Sequence, residues 1–212
     1  MRLLQQCLPV CDVRPLDLFP IFDMMPVWVV KMRRPFGDWD VLSLFNWDEQ
    51  ETTMSVCLEE LGLDMAQPYL IYDCWNRTLK RGVTDTLTAT VPERGNALLA
   101  LYADMGRPQL VFTDRHIVQG GVGLENVIWD AAANTLSGTV RLVENDPTEL
   151  VIAIPKGFTF TAAEAGSGVR INAALTEQGQ VTATLQRATP DASSAAASWS
   201  LFFDYSPHDV SL

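Results

Sequence analysis

The stretch FTDRHIVQGG, residues 112–121, holds the most chemically capable run of side chains in the sequence, with Asp114, Arg115 and His116 ahead of a glycine pair. On an extended chain Asp114 and His116 project to one side, where they could bind a metal ion or act as a base and its orienting carboxylate. Two ligands are too few for a metal site. Polar loop residues ordinarily satisfy backbone groups, so the expectation is that Asp114 caps the turn and Arg115 pairs with an acid across a sheet edge. His116 is expected to be hydrogen-bonded in an interdomain seam. The following GGVG precedes no helix and so lacks the N-terminus that a phosphate loop requires.

Asp38, Asp40 and Asp48 form a second group, bracketing the apolar run FGDWDVLSLFNWD. Cleavage of a glycoside by paired carboxyls needs the two to face each other across the sugar, roughly 5 to 9 Å apart. Asp38 and Asp40 share a pleat face, yet nothing beside them would raise one pKa and not the other. They are expected to act as turn ligands and solubilising charges. No GxSxG elbow occurs, Ser167 lies between strand signals, and His208 is close to the last residue. No catalytic residue, metal ligand or cofactor is therefore assigned.

Six tryptophans could furnish a sugar-stacking platform. Trp39, Trp47 and Trp75 sit inside strong strand patterns and are expected in the core, because a buried indole removes much apolar area from water. Trp129 shares the odd-numbered face with Val127, and Trp28 follows Pro26; either suits a surface, but one aromatic is no platform. The candidate ligand-binding residues are thus Asp114, His116 and Trp129.

The net charge of −11 and pI near 4.5 argue against nucleic acid or an anionic membrane as partner, since both need clustered Lys and Arg. No apolar run approaches the ~18 residues of a membrane span, and Met24 to Val30 is broken by Pro26. MRLLQQCLPVCDV makes a poor secretory signal, interrupted by Gln5 and Gln6 and followed by no cleavage site. Cys7, Cys11, Cys57 and Cys74 contain no CxxC pair and match no zinc spacing. They read as reduced thiols, compatible with a cytoplasm, with Cys57 and Cys74 as small core residues on strands.

The elements that must position these residues are strands. Residues 36–48 predict a strand buried on both faces, left to water only near Asp40 and Asn46. Around it fall Val27 to Met32, Met54 to Leu58, Tyr69 to Trp75, Thr86 to Val91 and Ala97 to Tyr102, with a turn of helix or a tight loop between Leu58 and Pro68. Gly106 and Pro108 mark a boundary. Beyond it come Gln109 to Thr113, His116 to Gln119, Leu124 to Asp130, Thr135 to Val143, Glu149 to Ile154, Thr159 to Ala163, Gly168 to Leu175, Gln180 to Arg187 and Ser198 to Tyr205. ATPDASSAAAS is expected to be a mobile loop. The fold class is all-β, two consecutive antiparallel β-sandwich domains at 26–105 and 106–212 after an irregular segment, 1–25.

In that order, PFGDWDVLSLFNWDE, LGLD…YLIYDCW and RPQLVFTDRHIVQGGVGLENVIWD resemble the C-terminal all-β region of melibiase-type α-galactosidases and raffinose-synthase-like glycoside hydrolases. LLQQCLPVCDVRPLDLF resembles the exit from their catalytic (β/α)8 barrel. The resemblance implies that the catalytic aspartates reside in a barrel this sequence does not contain, so none is carried over. It implies an accessory role, with the barrel as partner. A carbohydrate-binding module that holds oligosaccharide on exposed aromatics, and an interaction-only domain, are the alternatives.

Overall fold

The computed structural model describes residues 14–15, 26–115, 119, 121, 123–188 and 196–207. Among them there is no α-helix, and the strands pair antiparallel wherever their register is defined. Of these residues, those up to 33 and from 37 to 104 make one compact unit, and 34–36 with those from 105 onward make another.

The first unit has a six-stranded sheet ordered β1-β2-β3-β8-β5-β6 and a two-stranded sheet of β4 and β7. The strands are β1 (Arg14–Pro15), β2 (Val27–Arg34), β3 (Gly37–Phe45), β4 (Thr52–Cys57), β5 (Tyr69–Asp73), β6 (Thr78–Val83), β7 (Thr86–Val91) and β8 (Asn96–Ala103). Between the sheets lie Val29, Leu42, Leu44, Ile71, Leu87, Val91 and Leu99. In β7, Leu87, Ala89 and Val91 are buried while Thr86, Thr88 and Thr90 are exposed, the alternation of a strand with one wet face. β3 instead buries both faces, with Leu42 and Leu44 on one and Trp39 and Val41 on the other. It lies inside the sheet, between β2 and β8, as its two apolar faces predict.

Departures from the expected pattern have physical causes. β6 carries no alternating apolar residues in TLKRGV, pairs only with β5 and is largely exposed, so as an edge strand it leaves no hydrophobic signature. Leu58 to Leu63 folds into hydrogen-bonded turns, with Gly62 at φ 72° and its N–H donating to Glu59 O at 2.8 Å.

The second unit pairs β10-β11-β16-β13 with β14-β15-β12-β9. These are β9 (Gln109–Thr113), β10 (Leu124–Asp130), β11 (Thr135–Arg141), β12 (Thr148–Ala153), β13 (Phe158–Ala165), β14 (Val169–Leu175), β15 (Gln180–Arg187) and β16 (Ala196–Tyr205). Trp199, Leu136, Leu150, Ile152, Val181 and Leu185 form its core. Val181, Ala183 and Leu185 of β15 are fully buried, as the QVTATLQR alternation predicts. Of the expected strand His116 to Gln119, only Gln119 lies among the described residues, and it is irregular. Most of the ATPDASSAAAS loop lies outside them, as do Cys7, Cys11 and His208.

Candidate functional site

The acids flanking β3 are committed to structure. Asp40 is 2% exposed and takes Lys31 Nζ at 2.7 Å and Arg33 Nη1 at 3.6 Å; Lys31 also donates to Leu61 O at 2.6 Å. The expectation of a solvated charge at Asp40 fails because β2 and β3 bring two cations to its side of the sheet, making burial of the carboxylate tolerable. Asp38, exposed, meets Arg33 Nε at 3.4 Å. Asn46, expected near water, is likewise buried. Its Nδ2 donates to the carbonyls of Gln50, Val91 and Pro92 at 2.7, 3.2 and 3.0 Å, and its Oδ1 accepts from Asp48 N at 3.0 Å. Asn46 is thus the polar knot that ties the end of β3 to the turn after β7.

Asp114 and Arg115 serve the backbone and one another's neighbours. Asp114 Oδ1 accepts from Glu149 N at 2.8 Å while its own N–H donates to Glu149 O at 3.2 Å, extending the β9–β12 ladder by a side chain. Arg115 Nη1 meets Asp146 Oδ2 at 3.0 Å and Nη2 donates to Arg141 O at 3.3 Å. Gln119 closes on Thr113, accepting its N–H at 3.3 Å and donating to its carbonyl at 3.1 Å. His116 lies outside the described residues. Among those described, no three His, Cys, Asp or Glu side chains gather as a cation's ligands.

Trp129 is half-buried, edge-on to Phe158 at 5.6 Å and tilted against Phe203 at 6.0 Å, and it packs on the second core. The exposed indoles are Trp47 and Trp75, 52% and 48% accessible, which corrects their expected burial. Both stand just past the last strand residue, Phe45 and Asp73, where the pleat no longer aims a side chain inward. Trp47 stacks on Phe45 at 5.6 Å and 11°, so one ring face is occupied.

Cys74 and Tyr72 are buried in the first unit. Burial pushes the Cys74 thiol well above its ordinary range, with Asp73 adding to the effect, and pushes the Tyr72 phenol up to about 12. Both hold their protons at neutral pH, and a thiol that stays protonated is no nucleophile. Cys57, expected in the core, is half-buried at the end of β4.

The first unit is therefore an antiparallel β-sandwich in which Asp40 is held in an ion pair by Lys31 and Asp38 lies exposed beside Arg33. Residues 23–101, which fall within this unit's span of the sequence, match the family model of the alpha galactosidase C-terminal beta sandwich domain. No curated protein matches the sequence. Among solved structures, a GH27 β-L-arabinopyranosidase from Geobacillus stearothermophilus is 20% identical with a TM-score of 0.35, over 45% of this chain and 20% of that one. Alpha-galactosidase I from Mortierella vinacea is 16% identical with a TM-score of 0.33, over 40% of this chain and 22% of that one. The chain thus spans about a fifth of the length of either enzyme.

Proposed function

We propose that this chain is the non-catalytic C-terminal accessory region of a carbohydrate-active glycoside hydrolase with an α-galactosidase-like parent. It packs on the catalytic (β/α)8 barrel and stabilises it. The family match over residues 23–101 carries this reading. The engagement of Asp40 by Lys31 and of Asp114 by the Glu149 backbone supports it, because neither carboxyl is left to serve as acid or nucleophile.

The purified chain is expected to release no phenol from aryl α-galactosides beyond the buffer rate. Turnover that disappears on changing Asp38, Asp40 or Asp114 would overturn the reading. A second reading, a carbohydrate-binding module, is favoured by one observation, the half-exposed Trp75 over a cleft.

A further inference from the structure

The turn between β5 and β6 is built to present an indole. Asp73 Oδ1 accepts the backbone N–H groups of Trp75 and Asn76 at 3.0 and 2.9 Å, and Oδ2 accepts Asn76 Nδ2 at 2.9 Å. Arg77, at φ 58°, returns the chain into β6, while Cys74 N donates to Leu98 O at 2.8 Å and pins the turn to β8. Four hydrogen bonds in and around the turn thus fix the backbone from which the exposed Trp75 projects, so the turn itself spends little conformational entropy on meeting a ligand.

Beside it lies a cleft of about 360 Å³ whose other walls include Asn76, Thr90, Pro92 and Asn96. Its volume falls within the range of small-molecule sites. Every lining residue is uncharged, in a protein whose net charge is −11. An anion would be repelled by the molecule, and a cation would find no carboxylate here. What remains is a neutral ligand with an apolar face and hydroxyls at its rim. The amide of Asn96 donates to Ser43 Oγ at 3.2 Å and that of Asn76 to Asp73, which leaves two amide oxygens to accept from hydroxyl groups.

We infer that this cleft is a saccharide-binding site, in which a neutral pyranose lays its C–H face on the Trp75 indole and donates hydroxyl hydrogen bonds to Asn76 and Asn96. The choice of sugar as ligand rests on the carbohydrate-active reading above; the site itself rests on the geometry of the turn and cleft. Trp47 is the internal control, equally exposed but stacked on Phe45 and absent from the cleft lining.

The test is titration of the ¹⁵N-labelled full chain with methyl α-D-galactopyranoside, raffinose and cellobiose, following the indole N–H resonances and, in parallel, calorimetry. At least one sugar is expected to shift the Trp75 signal with millimolar affinity. Trp75→Ala should weaken binding at least tenfold with the rest of the spectrum unchanged, Trp75→Phe should retain part of it, and Trp47→Ala should leave it intact. Absence of binding to all three sugars, or undiminished binding by Trp75→Ala, overturns the inference. A chain that binds no sugar yet is found with a barrel loses this site and keeps its accessory role; one that binds through Trp75 but is found without a barrel does the reverse.

Discussion

Asn46 shows how one side chain can hold a corner that no strand ladder reaches. Three carbonyl oxygens converge on its Nδ2 and share the two N–H groups of that donor. Asn46→Asp is isosteric but turns that donor into a carboxylate facing three acceptors. Denaturant unfolding should show a loss of about 3 kcal/mol, at the upper end for a buried polar group left unpaired; a change below about 0.5 kcal/mol would mean that the corner is held by something else. At this scale the sequence was only half legible. Asn46 and Asp40 interrupt an apolar run, and polarity in a strand pattern ordinarily means water. Their burial depends on partners 9 to 46 residues away, Lys31 for Asp40 and Val91 and Pro92 for Asn46, which no local spacing discloses.

Elements were easiest to read where one face is wet. The Thr–apolar alternation of β7 and the QVTATLQR alternation of β15 announce their register, and the two-sided apolarity of β3 announces an interior strand. Two hairpins share a local device: DCWNRT and DAAANT each begin with an Asp that accepts the N–H groups two and three residues on, and each places a left-handed residue, Arg77 or Asn134, before the returning Thr. The second can be read from Asn134, at φ 46°, whose short side chain favours that backbone. The first was hidden because Trp75 reads as strand core and Arg77 is an uncommon left-handed residue. The close approach of β11 and β16 was also hidden. Gly138 faces Trp199 in register, and a Cβ built there would lie 2.7 Å from Cζ2. Gly138→Ala is expected to cost about 1–3 kcal/mol by overpacking. Placed in a Trp199→Phe background, where the ring is smaller and the buried indole N–H has no partner to lose among the described residues, the same change should cost less. Equal costs in both backgrounds would show that the strain lies in the strand backbone.

On the scale of the whole molecule, each unit has its own core and each closes one sheet over another, as short strand signals without an amphipathic helix predict. No helix among the described residues is long and apolar enough to cross a membrane. Fold class was legible because strand periodicity is local, whereas function was legible only through resemblance. The residues that looked chemical, Asp40, Asp114 and Arg115, do structural work, and the exposed indole over a cleft was assigned to the core. Residues 23–101 are similar to the alpha galactosidase C-terminal beta sandwich domain, and the central claim built on that likeness is the proposal of a barrel partner. The most direct test is to isolate the protein from its own cells with an antibody raised against this chain and identify what comes with it by mass spectrometry. Peptides of a (β/α)8 glycoside hydrolase barrel, in the same polypeptide or in equimolar complex, are the predicted result; a chain recovered without any barrel would contradict the account.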